Sequence, residues 1–402
     1  MLDHHSHSSD ASPALVVGLS IHGLAVVRAL ARRGIEVHGL SEIESPPQPT
    51  VYTRFAKVHF RSGLNAGSLT DTLIDVANQI GSHHKIVLFP TSDRIVKAIA
   101  QSWEVLGERF LLSWSECRDL VLKLQRKDHL AAYCEHRGIV HPKSNIVHAI
   151  ADCDDIAGHL RFPIAVKPAQ PLSSFKALRI GTPLELQNCV RLFERDLPFV
   201  VQEWIDGPEP SLYSCTTYMK DGKPMLLFTS RKLAASPPGT GQGTVFETVD
   251  NEETREIAAR FLAGSGLVGP VALEFKRDDD GKFWLIEPNV GRTEYCVDLA
   301  IQSGFDLPYL EYLHVTGKAA ENQLPRSTRD CVWFDTDKDP RCFFSQFGAI
   351  RGNDGHRRHI VFPFLGHGDL RPLVASIAQL VRSWLRAVQR RIAAGHRAAT
   401  SH

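Results

Sequence analysis

Two glutamates and an asparagine stand close together in the segment VALEFKRDDDGKFWLIEPNVGR: Glu274, Glu287 and Asn289. Asp280-Gly281, between two apolar runs, is a hairpin-turn signal, because the central residues of such turns must tolerate positive φ. Folding back there brings Glu274 toward Glu287 and Asn289 on one face. Two carboxylates and an amide oxygen make a hard-oxygen donor set suited to Mg²⁺. The apolar neighbours Leu273, Phe275, Trp284, Leu285 and Ile286 would bury the hairpin. Carboxylates drawn together there repel unless a cation sits between them. The plainer alternative is a hairpin with scattered surface acids, which leaves the acid-x-Asn at the strand end unexplained.

Other groups could act on an anion. Lys167 ends the apolar run Phe162–Val166, where a lysine either snorkels or is aimed at an anion. Lys127 lies in a long helical stretch and reads, on its own, as a solvated charge. In FVVQEWIDGPEP, an apolar strand leads into Gln202 and Glu203, then a Gly207-Pro208 turn, then Glu209. A nucleobase could lie against that strand and a ribose meet Glu209. Arg231 and Lys232 close the next hairpin, and SPPGTGQGT is a glycine-rich loop that could cover phosphates. Gly18 and Gly23 follow the first strand, with Glu42 near the end of the second. They read as a tight strand-to-helix turn, or as a dinucleotide site with spacing unlike G-x-G-x-x-G. Thr91, Ser92 and Asp93 sit at a strand's C-terminal end, where they suit either a ligand or a helix N-cap. His4, His5 and His7 read as part of a flexible tail, with metal binding as the alternative.

These groups need elements to hold them. Ala14–Gly18, Ile35–Leu40, Lys85–Phe89 and Phe110–Ser113 read as buried strands, alternating with helices over Gly23–Arg33, Leu69–Ile80 and Ile95–Trp103. That is an open, mostly parallel sheet. From residue 116 the pattern changes. Cys117–Arg137 reads as one long helix closed by Gly138. Leu212–Met219 with Met225–Lys232, and Val271–Lys276 with Phe283–Glu287, read as hairpins, so this half is α+β with antiparallel sheet. Past residue 330 the chain is irregular and aromatic, and it finishes in a helix over about Leu370–Ala393. There Leu373, Val374, Ile377, Leu380, Val381, Trp384, Leu385 and Val388 follow helical spacing, with Arg382, Arg386, Arg390 and Arg391 on or beside the other face. No Asp or Glu follows Asp369. Such a basic amphipathic helix suits packing on the body of the protein or contact with an anionic membrane.

The 402 residues are 43% hydrophobic and 23% charged, which excludes a disordered chain or a coiled coil. Lysine and arginine number 46 against 45 acids, so no charge excess points to nucleic acid. No apolar run is long enough for a membrane span, and the polar, histidine-rich start does not read as a signal peptide. Eight scattered cysteines without a C-x-x-C read as reduced thiols, and the expected location is cytoplasmic.

Residues from about 116 to 315 resemble an ATP-grasp domain, and residues 14–115 resemble the Rossmann-like domain that precedes it. RKLAASPPGTGQGTVFETV and ALEFKRDDDGKFWLIEPNVGR look most like the ATP-grasp carboxylate–amine ligases, with D-alanine–D-alanine ligase and carbamoyl-phosphate synthetase as more distant kin. The resemblance implies a tail over 1–13, the Rossmann-like domain over 14–115, an ATP-grasp fold with lobes at 116–200 and 201–325, and a C-terminal helical extension over 326–402. It implies ATP with Mg²⁺ or Mn²⁺, two ions held by Glu274, Glu287 and Asn289. Lys127 and Lys167 match the family's nucleotide lysines, Gln202, Glu203 and Ile205 its adenine-edge stretch, and Glu209 its ribose acid. Lys232 or Arg231 matches the basic group near the γ-phosphate, and Arg292 the arginine that would stabilise the transferring phosphoryl group or the acyl-phosphate. The loop after Lys167 departs from the family. It reads AQPLSSF, without glycine, and offers Ser173 and Ser174 as hydroxyl donors. The activity implied is ligation of a small-molecule carboxylate to an amine, or to a thiol, through an acyl-phosphate with release of ADP and phosphate, in a protein that could be a homodimer. The rivals are an ATP-binding module without ligase chemistry and an NAD-dependent oxidoreductase built on the Gly18/Gly23 turn.

Overall fold

The computed structural model describes residues 11–64, 67–169, 175, 177–207, 210–239, 241–318, 329–352 and 354–399. Ser173, Ser174, Glu209 and the N-terminal histidines lie outside them. Three sheets carry the chain.

The first sheet has the order Lys57–Arg61, Val37–Glu42, Ala14–Val17, Ile86–Pro90, Phe110–Leu111, and every pair is parallel. Ala14–Val17 is wholly buried, as a central strand covered by helices on both faces must be. The helices are Ile21–Ala31, Leu69–Ile80 and Asp93–Gln101. The edge strand Lys57–Arg61 escaped the sequence because KVHFR is partly exposed and lacks an apolar run.

Gly18 takes φ +94°, and a Cβ there would stand 2.2 Å from Thr91 Oγ1. That hydroxyl donates to the carbonyls of Val17 (2.8 Å) and Gly18 (3.0 Å). Gly23 abuts the Gly18 carbonyl, and Glu42 accepts from Leu64 N–H (2.7 Å) and Arg94 (3.2 Å). The two glycines thus serve a close strand-to-helix contact that Thr91 fills. The acid that a dinucleotide site would turn to a ribose is already engaged.

The stretch expected as one helix over Cys117–Arg137 is two, Arg118–Gln125 and Lys127–His136. Arg126 between them is extended (φ −85°, ψ 118°). Its guanidinium pairs with Asp128 in the next first turn (3.1 and 2.5 Å). The break makes Lys127 the first residue of the second helix and lays its N–H 3.4 Å from the carbonyl of Ala169.

The second sheet is small and antiparallel, in the order Ser144–Val147, Phe199–Glu203, Ile164–Pro168, Leu178–Ile180. With the helices Cys153–His159 and Pro183–Leu192 it closes a core of its own around Val166, Leu186, Phe199 and Val201.

The third sheet runs Phe283–Val290, Gly269–Arg277, Leu212–Lys220, Phe228–Ser236, Gln242–Thr248, Cys331–Phe334, His359–Val361. All pairs along this path are antiparallel except the last. Asp221 (φ +50°) and Gly222 (φ +75°) both take left-handed backbone at one hairpin turn, as Asp-Gly predicts. At Asp280-Gly281 only the glycine does (φ +87°). That loop is longer than the two-residue turn expected, closed by Asp278 N–H on Lys282 O (3.0 Å) and Gly281 N–H on Asp278 O (3.1 Å).

The last two strands of this sheet, Cys331–Phe334 and His359–Val361, come from the segment expected to be a helical extension. That segment also returns to the first sheet. Asp369, fully buried, pairs with Arg28 (3.0 Å) and accepts from Thr53 Oγ1 (2.7 Å) and Arg54 N–H (3.1 Å). The helix Arg371–Ala399 follows. Of its apolar residues, Val374, Ile377, Leu380, Val381, Trp384 and Leu385 are exposed rather than packed on the body, while Leu373 is half-buried. No described helix is long and apolar enough to cross a membrane. The eight cysteines are unpaired, and all but Cys117 are buried.

Candidate functional site

All three sheets contribute to one cavity of about 670 Å³. The first sheet brings Thr91, Ser92 and Asp93 from a strand's carboxyl end. The small sheet brings Lys167, Gln202, Glu203 and Ile205. The large sheet brings Lys232, Glu274, Glu287 and Asn289, and Lys127 and Arg292 complete the wall. The chain segments are far apart in sequence, so only the fold unites them.

Glu274 and Glu287 face each other as paired residues of adjacent strands, both half-buried. A bulge decides this. From the loop outward the pairs run Arg277 with Phe283, Lys276 with Trp284 and Phe275 with Leu285, and the next step skips Ile286. A straight ladder would have set Glu274 against Ile286. The extra residue re-phases the strand and puts two carboxylates opposite each other. Asn289 reaches across with Nδ2, donating to Glu274 Oε1 at 3.0 Å.

Cations compensate these acids. Lys127 Nζ stands 2.5 Å from Glu287 Oε1. Burial works against the lysine's charge, but Glu287, then Asp93 and Glu274, outweigh it and hold the ammonium above its ordinary pKa. Arg292 donates to both oxygens of Asp93 (2.5 and 3.2 Å) and to Asn289 Oδ1 (2.7 Å). Its charge too is opposed by burial and restored chiefly by Asp93. Asp93 therefore has a definite task, holding Arg292 in place from the end of the parallel sheet. Ser92, beside it, caps the helix by accepting from Ile95 N–H (3.4 Å).

Among the described residues, no three His, Cys, Asp or Glu side chains gather to enclose a metal ion. Two carboxylates and one amide form an open set of hard oxygen donors. That chemistry suits Mg²⁺, which leaves positions to waters and phosphate oxygens. Asn289 would join with Oδ1 once its amide turns, since amide orientation is assigned from the hydrogen-bond network.

Two groups at the cavity had no signal in the sequence, His141 behind Gln202 and Glu294 on the wall. His141 donates from Nδ1 to Leu285 O (2.7 Å), so its Nε2 is the acceptor for Gln202 Nε2 (3.0 Å). Burial lowers its pKa to about 4 and keeps it neutral. It fixes which way Gln202 points. Glu294, buried, accepts from Thr216 Oγ1 and Ser214 Oγ, and burial pushes its carboxyl up to about 7. Neither sits in a motif, and burial by distant segments gives each its role.

Arg231 is not in the cavity. It points to the other face of its strand and pairs with Glu247 (Nε to Oε1, 2.7 Å), beside Arg358. Side chains alternate along a strand, so of the adjacent pair Arg231 and Lys232 only one can face the site.

The chain is similar over part of its length to D-alanine–D-alanine ligase from Pseudomonas fluorescens, 26% identical over 168 residues, or 40% of this chain and 52% of that protein. It is likewise similar to D-alanine–D-alanine ligase B from Pseudomonas putida, 27% identical over 180 residues, 40% of this chain and 53% of that protein. It thus spans about half the length of the curated relatives it matches. No protein-family model matches it. Among solved structures, N5-carboxyaminoimidazole synthetase from Staphylococcus aureus, complexed with ADP, superposes with a TM-score of 0.64 at 17% identity, covering 84% of this chain and 86% of that one. L-amino acid ligase from Bacillus licheniformis gives 0.62 at 17%, over 79% and 78%. The biotin carboxylase domain dimer of 2-oxoglutarate carboxylase from Hydrogenobacter thermophilus, in complex with MgADP and bicarbonate, gives 0.61 at 13%, over 78% and 72%. The chain has the ATP-grasp fold. The small antiparallel sheet and the large sheet both line the cavity, and the carboxyl end of a strand of the parallel sheet completes its wall.

Proposed function

We propose that this chain is an ATP-dependent ligase that joins a small-molecule carboxylate to an amine, or to a thiol, through an acyl-phosphate. The observation that carries the reading is the opposition of Glu274 and Glu287 across one register step, with Lys127, Asn289 and Arg292 bonded to them or to each other, in a cavity that three sheets share. The similarity to D-alanine–D-alanine ligases supports it.

In this reading ATP lies between the small and large sheets. Gln202, Glu203 and Ile205 meet the adenine, with Gln202 oriented by His141, and Glu209 meets the ribose. Lys127, Lys167 and Lys232 bind phosphate oxygens, joined by Ser173 and Ser174. Glu274, Glu287 and Asn289 would hold Mg²⁺ or Mn²⁺, two ions in the family pattern, whose chemistry is to neutralise charge on the phosphoryl oxygens. Arg292, braced by Asp93, faces the end of the cavity formed by the parallel sheet, where the carboxylate would enter. A carboxylate is a poor acyl donor because its leaving group would be oxide. Transfer of the γ-phosphoryl group makes that leaving group phosphate, and amine attack becomes feasible. The protein's contribution is position and charge rather than a covalent link.

The two lobes would correspond to residues 116–200 and 201–325 and the preceding domain to 14–115. The unpaired thiols suit the cytoplasm, and a homodimer would match the dimeric biotin carboxylase neighbour. The test is release of ADP against a matrix of carboxylates and amines, with hydroxylamine added to trap the acyl-phosphate as a hydroxamate. ADP with phosphate is expected, abolished by EDTA. Stoichiometric AMP with pyrophosphate would overturn the mechanism. ATP binding with no turnover in any pairing would leave a nucleotide-binding module.

A further inference from the structure

The helix Arg371–Ala399 is moored by one side only. Ser376 Oγ donates to Asp337 Oδ1 (2.6 Å) and Gln379 Nε2 to the carbonyl of Pro47 (2.5 Å), while Pro372 and Ser376 are buried against the body. The opposite side carries Leu370, Val374, Ile377, Leu380, Val381, Trp384 and Leu385, each between 41% and 65% exposed. Their spacing puts them on one continuous stripe of the helix. Arg382, beside the stripe's edge, and Arg386, on the other, polar face, are also exposed. From residue 370 to the end the sequence holds six arginines and no acid.

Three occupants could cover such a stripe, and charge separates them. A second copy of the helix would cover the stripe but leave the arginines of both helices unanswered, with no carboxylate on either helix to pair with them. A nucleic acid would satisfy the arginines and leave the apolar stripe in water. An anionic bilayer surface satisfies both at once. The stripe enters the boundary between headgroups and acyl chains, Trp384 sits at the level its amphipathic ring favours, and the arginines of the polar face lie within the negative potential of the anionic surface. The helix is anchored at its buried start by Asp369 and Arg28, so insertion needs no unfolding of the body.

We infer that this helix attaches the protein peripherally to anionic membrane, lying in the plane of the interface. The inference is independent of the ligase reading, and ATP binding in every variant below should be unchanged.

The full-length chain is floated with vesicles of phosphatidylcholine alone and of phosphatidylcholine with phosphatidylglycerol. Partition into the anionic vesicles should exceed that into the neutral ones by about tenfold or more, because each basic residue near a charged surface adds severalfold. V381E/L385E should abolish flotation. R382Q/R386Q should weaken it by about tenfold and reduce its salt sensitivity. All four residues are exposed, so melting temperatures should be unchanged. If V381E/L385E melts early, R382Q/R386Q still tests the inference. No flotation, or flotation indifferent to both variants, overturns it. So does a dimer in light scattering that V381E/L385E dissociates, or duplex DNA binding that V381E/L385E leaves intact while vesicles are ignored.

Discussion

Glu287 is the residue on which the site's electrostatics converge. It opposes Glu274 across the ladder and holds the buried ammonium of Lys127. Replacing it with glutamine keeps the shape and removes one charge. Turnover should fall on the order of 10²-fold or more, since metal-based charge stabilisation is worth several kcal/mol. Asp279→Asn, an exposed acid in the loop of the same hairpin, is the control and should lose less than about twofold. Equal, modest losses in steady-state ADP release would make Glu287 an ordinary acid. The types and spacing of Glu274, Glu287 and Asn289 made this cluster legible in the sequence. The choice between Lys232 and Arg231 was not legible, because it depends on the phase of a pleat. Asp93 could be read as a cap or as a ligand contact, and the fold gives it a third task, bracing Arg292.

At the scale of elements, the turns and the buried strands were the clearest signals, and the irregularities the least. Apolar runs located the strands at Ala14–Val17 and Ile86–Pro90, and Asp221-Gly222 located a hairpin. The bulge at Ile286 and the break at Arg126 left no trace, although both position site residues. A one-residue bulge is invisible to periodicity, and a helix interrupted for one residue keeps its apolar spacing on both sides. Glycines offer a quantitative test of such local packing. Gly18 and Gly138 both have positive φ, +94° and +62°, but a Cβ at Gly18 meets Thr91 Oγ1 and one at Gly138 meets nothing within 4 Å. Gly138→Ala should cost about 1 kcal/mol, the backbone penalty alone. Gly18→Ala adds a steric clash and a disrupted Thr91 hydroxyl, and should cost about 3 kcal/mol. Urea unfolding of the two variants measures the difference. Equal losses would mean that the Gly18–Thr91 contact yields without strain.

At the scale of the molecule, one apolar core joins the parallel sheet to the strands Leu212–Lys220, Gly269–Arg277 and Phe283–Val290, and buried ionisable groups add further ties. Arg28 and Asp369 tie the chain's last third to its first helix. Glu311 does the same between the helix Leu307–Val315 and the end of the parallel sheet. It is 2% exposed, and its Oε1 accepts from Ser113 Oγ at 2.5 Å. No cation accompanies it in that bond, and burial pushes its pKa up to about 8. An unfolded glutamate releases its proton near pH 4.3, so between there and about pH 8 the folded chain keeps a proton that the unfolded chain gives up. The unfolded state binds fewer protons in that window, and stability must therefore fall as pH rises through it. The contribution is fully present below the unfolded pKa and is lost as the folded pKa is passed. Glu311→Gln keeps a neutral acceptor for Ser113 at every pH and removes the slope. The variant should melt close to the parent at pH 5 and progressively above it toward pH 8.5. The gap should approach about 4 kcal/mol, the order that a shift of this size carries at ~1.4 kcal/mol per pH unit. Thermal melts in one buffer series at constant ionic strength provide the comparison. Parallel melting curves across the range would show that Glu311 is ionised in the folded protein, with its charge answered by a group other than Ser113.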